Sequence, residues 1–265
     1  MSRRESGLLF KVWEGLRDLV YPPVCAVCGS PEENFLCSSC MEQLEKIHEP
    51  CCLWCGAPAS APVADCYECR NRDFFFEKAR AYGLYEGKLG EMIKKFKFKG
   101  VRDLHPVLAS FIHQTYQEFF GNEKFDFLEF VPLSKKRLRE RGFNQSELLA
   151  RSLSLRTGIP LSGALVKTRE TGDQARVGNY GEREGNVKDA FALKDRGVMR
   201  GKSILLIDDV YTTGATVNEC AAALKRGGAY RVCVLTLARS VKNGPQEPGR
   251  KVGNIEIAGV PFSKI

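Results

Sequence analysis

No apolar run in the 265-residue sequence approaches the ~20 residues that a bilayer-spanning helix needs. The stretch 1–20 also lacks the apolar segment of a signal peptide, because Lys11, Glu14, Arg17 and Asp18 interrupt it. Both absences predict a chain that is neither secreted nor membrane-spanning, and so a cytoplasmic one. The G-x-x-x-x-G-K-[ST] nucleotide loop is missing, which disfavours an ATP-hydrolysing motor. No internal repeat or low-complexity tract occurs, and a hydrophobic content of 43% is too high for a disordered chain and sufficient for a packed core.

What is present is unevenly spread. Residues 1–70 hold six Lys/Arg against ten Asp/Glu, a balance of −4, and nine of the eleven cysteines. The whole chain carries +8, so the remainder carries +12. The change near 70–80 predicts a domain boundary, with one unit over 1–78 and a second over 79–265. A basic second unit suits an anionic partner.

Eight cysteines form four C-x-x-C pairs: Cys25/Cys28, Cys37/Cys40, Cys52/Cys55 and Cys66/Cys69. Two intervening residues let both thiolates of a pair reach one ion, and two pairs complete a tetrahedral Zn²⁺ site. A reducing compartment points to metal before disulfides. Structural Zn²⁺ is therefore expected ahead of an iron–sulfur cluster or redox disulfides. Whether the pairs combine consecutively or interleave is open, and Cys51 stands beside Cys52 as an extra thiol. An acidic unit of this size with few large apolar groups needs the metal to fold. Before the cysteines, Leu8, Leu9, Val12, Trp13, Leu16, Leu19 and Val20 recur at helical spacing and predict an amphipathic helix ended by Pro22-Pro23.

From residue 80 onward apolar runs alternate with helical patterns, which predicts an α/β fold with a parallel sheet. Candidate strands lie at 127–131, 203–207 and 231–237, with a short last one near 255–260. Between the second and third, residues 216–226 carry Val217, Cys220, Ala221 and Leu224 on one face and run into Gly227-Gly228. This is a βαβ unit.

The strand at 203–207 leads into Asp208-Asp209-Val210-Tyr211-Thr212-Thr213-Gly214-Ala215-Thr216 and then the helix. Free amides at a helix start, with Gly214 admitting a close approach and Thr212, Thr213 and Thr216 offering hydroxyls, make a cradle for phosphate. Two carboxylates beside a phosphate need another task. Ribose hydroxyls suit them, with Mg²⁺ nearby.

The run from Ile204 to Thr216 resembles the phosphoribosyl-pyrophosphate (PRPP) signature of type I phosphoribosyltransferases. A second stretch, Val131-Pro132-Leu133-Ser134-Lys135-Lys136-Arg137-Leu138-Arg139-Glu140-Arg141-Gly142-Phe143-Asn144-Gln145, follows the first candidate strand. Together with the cysteine pairs it resembles the ComF family, in which a zinc finger precedes a phosphoribosyltransferase-type domain. Arg169, Thr171, Gln174, Arg183, Asn186 and Ala190-Phe191 also fit that pattern, while 175–181 is looser and richer in glycine. The resemblance implies a parallel-sheet type I phosphoribosyltransferase-like domain after a small zinc-binding one. It implies a 5′-phosphate loop at Val210–Thr216, a ribose diol held by Asp208 and Asp209 as the catalytic pair, and a pyrophosphate loop of Leu133, Ser134, Lys135, Lys136 and Arg137 with Arg141. It implies a flexible hood carrying Arg169, Gln174, Arg183 and Asn186, and Mg²⁺ bound with PRPP. An amidophosphoribosyltransferase reading is poor, since the cysteines begin at position 25 in metal-type pairs rather than as an amino-terminal nucleophile.

Lys94, Lys95, Lys97, Phe98 and Lys99, near Lys88, Arg102 and Phe96, mix cations with aromatics as single-strand binders do. Leu89, Met92, Ile93 and Phe96 have helical spacing, which places Phe96 in the core. The resemblance associates such proteins with uptake of single-stranded DNA or its use as a nutrient, and with competence-machinery proteins as partners. A salvage phosphoribosyltransferase acting on a nucleobase is the alternative.

Overall fold

The computed structural model describes residues 24–32, 35–70, 72–98, 104–170, 187–195 and 197–241. The predicted amphipathic helix at 8–20, the last strand near 255–260, Lys99, Arg102 and most of the hood segment, with Thr171, Gln174, Arg183 and Asn186, lie outside them.

The centre is a four-stranded parallel sheet. Its strands are β1 (Ala79–Leu84), β2 (Phe127–Phe130), β5 (Ser203–Tyr211) and β6 (Arg231–Arg239), in the order β1-β6-β5-β2. β5 and β6 are apolar on both faces because both faces are covered. Leu205, Ile207, Cys233, Leu235 and Leu237 point to one layer, and Ile204, Leu206, Val232 and Val234 to the other. The first layer contains α3 (His105–Phe120) and α5 (Gln145–Thr157), with α2 (Gly87–Phe98) beside them. Phe96 is fully buried there, and Tyr82 of β1 stacks on Phe111 of α3 at 4.2 Å. The second layer holds α6 (Ala215–Arg226), whose apolar face of Val217, Cys220, Ala221 and Leu224 packs on β5 and β6.

β5, α6 and β6 form the expected βαβ unit, and α6 ends where Gly228 takes φ +87°. β5 runs on past the predicted 207 through both aspartates, because Asp208, Val210 and Tyr211 keep register with Thr236, Ala238 and Arg239. Between β2 and β5 lie the short helix α4 (Lys135–Arg141), α5, and an antiparallel pair, β3 (Leu165–Lys167) with β4 (Phe191–Leu193). Glu129, fully buried in β2, accepts from the amides of Ala164 and Leu165 and so pins the entry to β3.

Among its described residues the cysteine-rich part contains one short helix, α1 (Ser38–Glu42), and otherwise turns and isolated bridges. Its segment 45–47 runs along β1: the Ile47 amide donates to Tyr82 and the Leu84 amide to Glu45. This covers the backbone groups that an edge strand would otherwise expose.

Candidate functional site

The carboxyl ends of parallel strands are where open α/β sheets bind ligands. Asp208 and Asp209 stand at that end of β5. The Asp208 side chain accepts from Ser146 Oγ at 2.8 Å and from the Asp209 amide at 2.9 Å. Burial, and then the neighbouring charge of Asp209, raise its carboxyl to about 7, against the opposing pull of Lys97 and Ser146. Asp209 Oδ1 lies 2.8 Å from Lys97 Nζ, at the end of α2, with the two side chains 12% and 16% exposed. The sequence pattern placed Lys97 among the nucleic-acid candidates. The structure turns it inward to the aspartates.

The next residues form the loop. Gly214 takes φ +80° as the N-cap of α6, where a side chain is strained. A Cβ there would also sit 2.3 Å from the Tyr211 hydroxyl. Thr213 is buried and its hydroxyl accepts from the Ala215 amide, whereas Val210, Thr212 and Thr216 are partly exposed. Tyr211 is buried against Phe76 and Arg239 and does not face the mouth of the site.

The second stretch is built by caps. Ser134 accepts from the Arg137 amide and starts α4, and Gly142 ends it in the left-handed region. Asn144 caps α5, accepting from Ser146 N while donating to the Val131 carbonyl at the end of β2. The cap thereby delivers Ser146 to Asp208. Lys135, Lys136 and Arg139 are exposed, and Leu133, Arg137 and Arg141 are partly so. Burial, and then the Arg137 charge, push the Lys167 ammonium of β3 below its ordinary value. Arg141 donates to Gln145, whose amide nitrogen is buried without a partner. Arg169 donates to the Lys188 carbonyl, across the base of the hood segment.

The nucleic-acid candidates do not share one face. Lys95 donates to the carbonyls of Ala26 and Val27 in the first cysteine knuckle, Lys97 turns to Asp209, and Lys94 alone of the three is well exposed, near the Tyr85 ring. Phe98 ends α2, and Lys99 is outside the described residues.

The eight metal candidates fall into two sets. Cys25, Cys28, Cys37 and Cys40 form one, and Cys52, Cys55, Cys66 and Cys69 the other, with all sulfurs of a set within 4.8 Å. The pairs combine consecutively. Sulfur separations of 3.6 Å for Cys28–Cys37, 3.9 Å for Cys52–Cys69 and 3.5 Å for Cys55–Cys66 match the edge of a tetrahedron with Zn–S bonds of about 2.3 Å. Zinc fits both sets. Cys51 belongs to neither and packs with Ile47 and Ala81.

Residues 16–70 match the family described as a double zinc ribbon domain, and residues 140–257 match the phosphoribosyl transferase domain. Competence protein ComFC of Bacillus subtilis (strain 168) is 32% identical over 223 residues, covering 79% of this chain and 86% of that protein. The chain belongs to the ComF family. DNA utilization protein YhgH of Escherichia coli (strain K12) is another relative, 30% identical over 234 residues, 84% of this chain and 100% of that one. Among solved structures, glutamine PRPP amidotransferase from B. subtilis with ADP and GMP overlays at a TM-score of 0.38 and 21% identity, over 54% of this chain and 30% of that one. The two matched family models and the parallel sheet make the ComF chain a double zinc ribbon followed by a parallel-sheet domain of phosphoribosyltransferase type. Among its described residues no helix is long and apolar enough to cross a membrane.

Ser146 is the residue beside the aspartates that sequence reasoning missed, and Lys97, named there only as a nucleic-acid candidate, is the second residue found beside them. Ser146 carried a usable signal, since it stands two residues past Asn144, the cap of α5, at the end of the second stretch. Lys97 sits in a run of lysines that no spacing rule separates.

Proposed function

We propose that this ComF-family protein binds PRPP at the end of β5 and handles single-stranded DNA during its uptake or use, in the cytoplasm. The observation that carries the PRPP reading is the adjacency of Asp208 and Asp209 to a helix start capped by left-handed Gly214. In this reading the loop at 212–216 takes the 5′-phosphate at the start of α6, and the aspartates take the two ribose hydroxyls. The pyrophosphate lies toward Arg137, Lys135 and Lys136, the cations at the start of α4. Lys97 stays beside the aspartates and offsets one carboxylate. The hard carboxylate oxygens of Asp208 and Asp209, with the ligand's own oxygens, suit Mg²⁺, which supplies charge neutralisation to the departing pyrophosphate when bound. Chemistry at this site is displacement at the anomeric carbon. A nucleophile bonds to it, the bond to pyrophosphate oxygen breaks, and the electron pair leaves with the pyrophosphate.

The DNA part is supported by the relatives named competence protein and DNA utilization protein and by the basic second part of the chain. The salvage reading, with a free base as acceptor, draws on one observation: Lys95 and Lys97 are engaged within the molecule, which thins the cation cluster. Calorimetry with PRPP and Mg²⁺, run beside a labelled single-stranded oligonucleotide and a panel of bases, tests all three. Binding of PRPP and of oligonucleotide, with the latter weakening as salt rises, is expected. PRPP turnover with a free base and no oligonucleotide binding at low salt favours the salvage enzyme. No PRPP affinity at all removes the site assignment.

A further inference from the structure

The second zinc ribbon and the segment after it are joined to the loop at 211–214 through Arg239 and Arg72, and to α6 through Asn218. Arg239, at the end of β6, is fully buried. Its guanidinium lies 4.8 Å from the centre of the Tyr211 ring, donates to the Cys55 carbonyl at 2.9 Å and pairs with Glu68 at 3.1 Å. Cys55 belongs to the second four-cysteine set, and Glu68 stands between its members Cys66 and Cys69. The Tyr211 hydroxyl in turn abuts Gly214. Arg72, just past Cys69, donates to the Thr213 carbonyl at 3.2 Å. Asn218 of α6 accepts from the Phe75 amide at 2.8 Å and donates to the Asp73 carbonyl at 3.0 Å.

A buried guanidinium costs several kcal/mol to desolvate, and it holds its place only with good partners. Here those partners are the metal knuckle on one side and the loop tyrosine on the other. Four thiolates around one Zn²⁺ leave a net negative centre, which favours the cation further. The geometry points to the second ribbon as a working part of the phosphate loop, with Arg239 as the positioning residue that couples zinc at Cys52, Cys55, Cys66 and Cys69 to the anion held at 212–216. This rests on the reading that the loop holds the 5′-phosphate of PRPP. Coupling between two sites is reciprocal. If the zinc-loaded ribbon holds the loop in its binding shape, PRPP must tighten zinc by the same factor.

The test uses the full chain with both zinc ions bound. Equilibrium transfer of zinc to a competing chelator is measured with Mg²⁺, with and without PRPP, and the second site is identified as the one abolished by Cys66→Ser. PRPP is expected to raise zinc affinity at that site about tenfold in the wild-type chain. Arg239→Met should still bind two zinc ions and lose most of that effect. An effect of equal size in Arg239→Met, or none in a wild-type chain that binds PRPP, overturns the coupling. If Arg239→Met does not fold, Glu68→Gln and Arg72→Met, which leave the guanidinium of Arg239 in place, are held to the same criterion. If the wild-type chain does not bind PRPP, the failure belongs to the function reading, and amide exchange decides the coupling alone. Faster exchange at 211–216 after zinc loss from the second site sustains it, and unchanged exchange overturns it.

Discussion

Asp208 is the side chain whose chemistry is most constrained. Burial and the charge of Asp209 raise its carboxyl to about 7, where an ordinary aspartate titrates near 4. A ribose hydroxyl donates its hydrogen bond, so it needs the ionised acceptor. Raising pH through 7 removes the proton, and PRPP affinity is expected to be roughly tenfold higher at pH 8 than at pH 6. Asp208→Asn should abolish most binding and, in any residual binding, the part of this dependence that the ligand's own phosphate does not supply. Calorimetry across that range checks both, and an undiminished pH dependence in the variant contradicts the assignment. For folding the sign is opposite. The folded carboxyl keeps its proton up to about 7, whereas the unfolded one loses it near 4, so this group's contribution to stability is full below 4 and lost as pH rises through 7. Asp208→Asn should therefore gain thermal stability relative to wild type as pH goes from 5 to 8. A stability difference that stays flat over that range contradicts the raised titration. Lys97→Met removes the partner of a carboxylate that is only 12% exposed, and an expected loss of about 1–3 kcal/mol is readable by denaturant titration.

At the scale of elements, the β5–α6 turn carries the site, and Gly214 sets its shape. Gly214→Ala places a side chain at φ +80° and against Tyr211, with an expected cost of about 1–2 kcal/mol and a large fall in PRPP affinity, zinc content remaining at two ions. Thermal unfolding with calorimetry checks it, and unchanged affinity would remove the phosphate from this loop. The turn was legible in the sequence because a buried strand, two acids, a Thr–Gly cluster and an apolar helical face follow one another locally. Other elements were not legible, for identifiable reasons. Asp208 and Asp209 hid the last residues of β5, which stay a strand only because β6 pairs alongside. β3 and β4 have three residues each, too few to show a period, and they exist because Glu129 pins the chain entering β3. Equal C-x-x-C spacings left the zinc pairing open, and folding chose consecutive sets. Lys97 and Asp209 come from distant segments, and only the folding of α2 onto the sheet joins them.

Across the whole molecule, the described cations divide between internal fastening and surface, and under the proposed function this division sets where a single strand of DNA would be met. Lys95 fastens α2 to the first ribbon and Lys97 fastens it to the aspartates. Charge reversal at either damages the fold or the site before it tells anything about DNA. Lys94, Lys135, Lys136 and Arg139 are exposed, and the last three stand on α4 with Leu138 43% exposed among them. A strand's phosphates release counterions at each cation they meet, so the slope of log affinity against log salt falls by about 0.7 for each phosphate left without its cation. Lys136→Glu with Arg139→Glu is therefore expected to flatten the slope by roughly 1.4 and weaken oligonucleotide binding at low salt, with zinc content and thermal midpoint unchanged. Lys94→Glu, on the separate helix α2, should flatten it by no more than about 0.7. Equal slopes in the wild type and in the α4 variant would place the strand on another surface, and a wild-type slope near zero would leave the protein without an electrostatic hold on DNA.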